Sequence, residues 1–128
     1  MLSDLHHVTF LTADMDRLIG FYERVFEAHV TVDLEEEGLR HAFIEVGQHT
    51  VLHPFQVPGV DPPAPQPMFQ RGRLDHFALN AASEASFLEL RRRVINALAQ
   101  STFDATVRDA GIDRRAASVD PSVALRQD

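Results

Sequence analysis

The sequence predicts an α+β fold built from two copies of one unit, and three observations carry that expectation. A shift of 69 residues lays Leu5-His6-His7-Val8-Thr9-Phe10 over Leu74-Asp75-His76-Phe77-Ala78-Leu79 without a gap. The register continues, pairing Leu18 with Phe87, Ile19 with Leu88, Phe21 with Leu90, Val25 with Val94 and Phe26 with Ile95, as expected when one structural unit occurs twice. In each copy a short alternating segment is followed by apolar residues at helical spacing, so a strand precedes a helix. Finally, five of the ten residues from Pro58 to Pro67 are proline, a composition that cannot pair inside a sheet and suits an extended connector.

From Leu5 to Leu11, Val8 and Phe10 fall on one face of a strand and His7 and Thr9 on the other. Asp14 offers an N-cap, and Leu18, Phe21, Tyr22, Val25 and Phe26 follow at helical spacing. Each fully buried member of that stripe contributes about 1.5–3 kcal/mol, so packing against a sheet fixes the helix. Ala28 to Leu34, Leu39 to Val46 and Thr50 to Val57 read as three strands, separated by Glu35-Glu36-Glu37-Gly38 and by Gly47-Gln48-His49. Residues 1–57 therefore form a β-α-β-β-β module, residues 58–72 a linker, and residues 73–128 a second module within a single domain. The second module opens with a strand from Leu74 to Asn80, a cap at Ser83 and a helix carrying Phe87, Leu90, Val94 and Leu98 on one face. Beyond Gln100 the pattern weakens. Short strands are expected near Phe103 to Val107 and Ser122 to Gln127, leaving this module weak or irregular at its C-terminal end.

With 12 Lys and Arg against 19 Asp and Glu, the formal net charge is −7, which opposes contact with phosphate backbones and anionic lipid. Neither nucleic acid nor a membrane is an expected partner. No stretch approaches the length of a membrane span, and the first residues lack a basic segment followed by a long apolar run, so a cytoplasmic location is expected. Cysteine is absent, which removes disulfides, a thiol nucleophile and thiolate metal sites. Any metal must take nitrogen and oxygen ligands, a setting that suits Fe(II), Mn, Co, Ni or Zn. No Gly-x-Ser-x-Gly elbow and no phosphate-cradling glycine loop occurs, so serine hydrolysis and nucleotide binding have no support.

The repeat makes His7 and His76 equivalent positions. Two histidines on pseudo-symmetric strands can converge on one point, and convergent imidazoles most often mean a metal ion. By alternation His6 points away from His7, His49 sits in or beside a hairpin turn, and His29 and His41 read as strand-surface residues. The Glu35-Glu36-Glu37 run reads as a solvated turn, and Arg91-Arg92-Arg93 as mostly the polar side of the second helix.

The ordered set Leu5-His6-His7-Val8-Thr9-Phe10-Leu11, Gly20-Phe21-Tyr22, Thr50-Val51-Leu52-His53 and Gly72-Arg73-Leu74-Asp75-His76-Phe77 resembles the vicinal oxygen chelate superfamily. That superfamily groups glyoxalase I, bleomycin-resistance proteins and extradiol dioxygenases, and the resemblance runs from Leu5 to about Leu98. It implies two β-α-β-β-β modules forming a cupped mixed sheet with helices outside, around one divalent metal ion. First-strand histidines of both modules commonly ligate that ion in the family, which carries over to His7 and His76. The last strand of the first module often supplies another ligand, and His53 resembles that position. Phe55 shares its strand face with His53 and Val51 and is the expected substrate-binding residue. The family's usual last ligand is a glutamate seven residues past the aspartate of an Asp-Pro turn. Here Asp120-Pro121 leads to Gln127, or to Arg126 if the turn is one residue shorter, and neither is a carboxylate.

Two classes of function stay open on this resemblance. In the first, a metal-dependent enzyme of the glyoxalase or dioxygenase type uses an ion held by His7, His53 and His76 to engage two adjacent oxygens of a small substrate, in lyase, isomerase or ring-cleaving oxygenase chemistry. The alternative is a metal-free small-molecule-binding protein of the drug-sequestering kind, with Phe55 and Phe69 lining its cavity, or an inactive paralogue. No general base is assigned. Glu45 has suitable chemistry, but alternation alone does not place it. The resemblance also implies a homodimer.

Overall fold

A computed structural model of the chain describes residues 5–60, 76–109 and 123–126. The chain divides into two compact units, Met1–Pro62 and Pro63–Asp128, so the division falls inside the proline-rich segment. In the first unit β1 (His7–Leu11), α1 (Met15–Phe26), β2 (His29–Glu36), β3 (Leu39–Glu45) and β4 (Val51–Gln56) follow in the expected order. The four strands form one open mixed sheet in the order β1-β4-β3-β2, with β1 parallel to β4 and the other pairs antiparallel. The fold is α+β.

Helix α1 starts where the sequence says it should, because its orphan backbone donors find acceptors. The Asp14 carboxylate accepts from the Arg17 N–H at 2.9 Å, and the Gln56 Oε1 at the end of β4 accepts from the Met15 N–H at 2.7 Å. At the other end Glu27 turns left-handed (φ 55°) and its N–H reaches back to the Glu23 carbonyl at 3.1 Å. Between β2 and β3, Glu37 (φ 53°) and Gly38 (φ 82°) make the two-residue turn that suits the twist of a hairpin.

The sheet has two different faces. Val8, Leu52, Ile44 and Val30 are paired in register across all four strands, and Ile44 and Leu52 are fully buried together with Met15, Leu18, Tyr22 and Val25 of α1. That row and the helix stripe form the core of the unit. A bulge at Thr31 then changes the phase of β2, pairing Val32 with Phe43 and Leu34 with His41. Leu34 is consequently exposed, and Asp33 comes to the helix side. There it receives two hydrogen bonds of 2.8 Å from Arg40, which also reaches Asp16 of α1. The face away from α1 carries the histidines.

In the second unit β5 (Phe77–Asn80), α2 (Glu84–Asp109) and β6 (Val123–Arg126) are described, with β5 parallel to β6 as β1 is to β4. The 69-residue shift holds at the helix starts, Met15 and Glu84, and at their caps, Asp14 and Ser83. The Ser83 hydroxyl accepts from the Ser86 N–H at 3.1 Å. The strand expected near Phe103 to Val107 is not a strand: these residues continue α2. No Gly or Pro interrupts the sequence between Glu84 and Asp109, and a helix already nucleated extends through β-branched residues at small cost. The expected strand near Ser122 to Gln127 corresponds to β6. Phe69, Asp120, Pro121 and Gln127 lie outside the described residues. No helix among the described residues is long and apolar enough to cross a membrane.

Candidate functional site

On the face of the first-unit sheet away from α1, the strand register sets side chains in rows. Thr9 pairs with His53, Leu11 with Phe55 and His41 with Phe55, while His7, Val51, Glu45 and His29 form a row across all four strands. His53 is the centre of a ring cluster. Its centroid lies 5.5 Å from that of His7, 4.3 Å from Phe43, 4.4 Å from Phe55 and 5.3 Å from His41. The ladder between β3 and β4 is interrupted at this level without a change of register. Pro54 has no N–H to give, and the paired positions of β3 and β4 run from His41/Phe55 directly to Ile44/Leu52.

The sequence-predicted residues of the first unit come together: His7 and His53 are edge-to-face neighbours, and Phe55 packs beside His53. His76 lies in the second unit, exposed and one residue before β5. Two expectations about other histidines need correction. His6 precedes β1 and escapes strand alternation, so its Nδ1 comes within 2.8 Å of the His7 Nδ1 and does not point away from it. His41 is no simple surface residue. It is half-buried, stacks on Phe55 with centroids 5.3 Å apart and planes at 15°, and brings its Nδ1 to 3.1 Å from the His53 Nε2. A signal for this was present in the sequence, because counting outward evenly from Gln48 at the centre of the turn pairs position 41 with 55 and places it diagonal to 53. The same count brings Glu45 to the histidine face.

Burial pushes the His53 imidazole below its ordinary value, and the neighbouring His41 and His7 rings push it the same way. The ring therefore favours its neutral form, the one that offers a lone pair to a metal ion. The donor chemistry fits a borderline divalent ion, with imidazole nitrogens set among aromatic rings. Among the described residues no three His, Asp or Glu side chains gather about one point.

The family model for the Glyoxalase/Bleomycin resistance protein/Dioxygenase superfamily matches residues 4–117. The chain belongs to this superfamily. Its fold is that of solved superfamily structures. A glyoxylase/bleomycin resistance protein/dioxygenase domain from Frankia sp. EAN1pec is 23% identical with a TM-score of 0.56, over 76% of this chain and 75% of that one. A variant of the fosfomycin resistance protein FosX from Listeria monocytogenes, complexed with Mn(II) and 1S,2S-dihydroxypropylphosphonic acid, is 17% identical with a TM-score of 0.54, over 77% and 71%. FosX from Mesorhizobium loti is 21% identical with a TM-score of 0.53, over 75% and 70%. No curated protein matches the sequence.

Within this member of the superfamily the two parallel strand pairs can be compared position by position. Val8 pairs with Leu52 and its repeat partner Phe77 with Val123, so His53 corresponds to Ala124 and Phe55 to Arg126. The second copy has no histidine at the position of His53.

Proposed function

We propose that the chain is a divalent-metal-dependent enzyme of the glyoxalase and dioxygenase type, with His7, His53 and His76 as metal ligands in a single two-module domain. The observation that carries this reading is the meeting of His7 and His53 on the face of the sheet away from α1. Superfamily membership and the Mn(II) and dihydroxy-phosphonate complex of the Listeria FosX support it. An ion bound there would supply Lewis-acid chemistry to a pair of adjacent substrate oxygens.

The chain's own residues bind, orient and keep the site dry. Phe43 and Phe55 flank His53 at 4.3 and 4.4 Å, hold its ring in place and offer an apolar wall to the carbon skeleton of a substrate. Glu45 stands on the same face, one row from His53, where its carboxylate can take a proton from a bound substrate. The aromatic wall also favours a second reading, a metal-free binding protein or an inactive paralogue, in which the histidines serve as polar lining.

Elemental analysis of protein purified without a histidine tag separates the two. One equivalent of a transition metal in the wild type, lost in both His7→Ala and His76→Ala, is the expected result. A wild type that contains no metal and takes up none of Fe(II), Mn, Co, Ni or Zn would sink the enzyme reading in favour of the binding protein.

A further inference from the structure

Leu11, Phe55, His41 and Leu34 are paired in register and form one row across all four strands, on the face away from α1. The adjoining row holds Thr9, His53, Phe43 and Val32, with the Phe43 and His53 rings 4.3 Å apart at its middle. We propose that these two rows bind an uncharged, flat aromatic molecule larger than a single ring, its face laid across the upright rings of His41, Phe43, His53 and Phe55. This names the kind of molecule the site takes. It rests on the reading, common to both forms of the proposed function, that a small molecule binds on this face.

Area and shape point to a small aromatic molecule. Neighbouring strands lie about 4.8 Å apart and successive residues on one strand face about 7 Å apart, so the two rows cover on the order of 100–200 Å². A stable association between protein chains takes about 800 Å² from each partner, so the patch suits a small molecule better than a second copy of this chain. Side chains stand roughly perpendicular to a sheet, and the rings therefore present their edges outward. His41 and Phe55 run nearly parallel, with planes at 15° and centroids 5.3 Å apart, while His53 is tilted by 45° against Phe55 at 4.4 Å. Ring edges are positively polarised and favour the negatively polarised face of another aromatic ring over an aliphatic surface. Leu11 and Leu34 close the first row at either end and are 59% and 52% exposed, which leaves apolar area for a ligand to cover.

Charge narrows the class further. Neither row contains a carboxylate or a guanidinium, and the chain has no lysine. Of the arginines in the first unit, Arg17 and Arg24 belong to α1, and Arg40 is held by Asp33 and Asp16 on the helix side. Glu45 stands in the row beyond His53. An anionic group brought here would lose water, meet that carboxylate and find no cation of this unit, a cost that an uncharged ring escapes. The imidazoles can answer a polar substituent on the ring. Between two neutral imidazoles, the 3.1 Å contact of His41 Nδ1 with His53 Nε2 makes one ring the donor and the other the acceptor, so of the two remaining nitrogens one carries a proton and the other a lone pair. A hydroxyl on the ligand pairs with either.

The test uses the full chain and three probes of similar size, 2-naphthol, 2-naphthoate and the saturated alcohol 2-decalol, titrated calorimetrically at neutral pH with and without a chelator. 2-Naphthol is expected to bind at least about tenfold tighter than either of the others, with or without the chelator. Phe55→Leu is expected to weaken 2-naphthol about tenfold and to remove most of its advantage over 2-decalol. Leu34→Arg changes an exposed side chain and decides the matter if Phe55→Leu does not fold: it is expected to raise 2-naphthoate to at least the affinity of 2-naphthol. Equal binding of 2-naphthol and 2-decalol to the wild type overturns the aromatic assignment, and equal binding of 2-naphthoate overturns the uncharged one. Binding that neither variant alters places the ligand elsewhere and overturns the proposal. So does a wild type that takes none of the probes, whether it holds a metal ion, which leaves the metal-dependent reading standing, or forms a dimer that Leu34→Arg splits, which puts a second copy on this face. Tight 2-naphthol binding by a protein that holds no metal supports the inference while the metal-dependent reading fails.

Discussion

At His53 the fold works against the proton. Burial first, then the nearby His41 and His7 rings, lower its pKa from the ordinary 6.5. The unfolded chain therefore binds a proton that the folded chain refuses as pH drops below that value. Stability is full above pH 6.5 and is lost on acidification toward the folded value. Metal-free protein is expected to melt at progressively lower temperature from about pH 7 to about pH 5, with a flatter dependence in His53→Gln. An equal slope in the variant would place the acid sensitivity elsewhere. Asp33 acts in a separate window: the hydrogen bonds from Arg40 hold its carboxyl below the ordinary 3.8, so its contribution fades only in stronger acid. The repeat singles out His7, whereas His53 and Phe55 enter through the family resemblance, with alternation setting the two on one strand face. The nearness of His41 to His53 takes one step more, because alternation assigns a face while proximity follows only from counting the hairpin register.

Elements were more legible than residues wherever capping chemistry was explicit. Asp14 and Ser83 mark both helix starts, and the Glu37-Gly38 turn marks the first hairpin. Less legible were features that depend on tertiary pairing. Val30, Val32 and Leu34 suggest a strand with one apolar face, yet the bulge sends Leu34 to the opposite side from Val30 so that Asp33 can meet Arg40. The C-terminal part of α2 reads as a strand in the sequence because Thr106 and Val107 favour strands locally, whereas an uninterrupted helix carries them along. Helix α1 offers a direct comparison of two caps. Asp14→Ala removes an exposed acceptor that water can replace, and is expected to cost about 0.5–2 kcal/mol. Gln56→Ala leaves the N–H of the fully buried Met15 without its acceptor, and is expected to cost about 1–3 kcal/mol. Urea denaturation of the two variants checks the order. A larger loss in Asp14→Ala would mean that water reaches the Met15 amide.

At the scale of the whole molecule, burial among the residues whose side chains are described is unevenly distributed between the two copies of the repeat. Among the described residues, every fully or nearly fully buried hydrophobic side chain, from Met15 to Leu52, belongs to the first unit. In the second, α2 is apolar on more than one side: Phe87, Leu90 and Val94 are partly covered, while Leu88, Ile95 and Leu98 are 56%, 48% and 39% exposed. Leu52→Ala would empty a site that touches the row linking all four strands, and is expected to cost about 2–5 kcal/mol. Ile95→Ala should stay within roughly 0.5 kcal/mol if its side chain meets water in solution. Denaturation curves of both variants at two protein concentrations test this. A cost of more than about 1 kcal/mol for Ile95→Ala that grows with concentration would show that a second copy covers this side of α2, because only association makes stability depend on how much protein is present. A small and concentration-independent cost leaves the first-unit core as the main source of stability among the described residues, with the proposed ligands His7 and His53 standing on the opposite face of the sheet that it holds together.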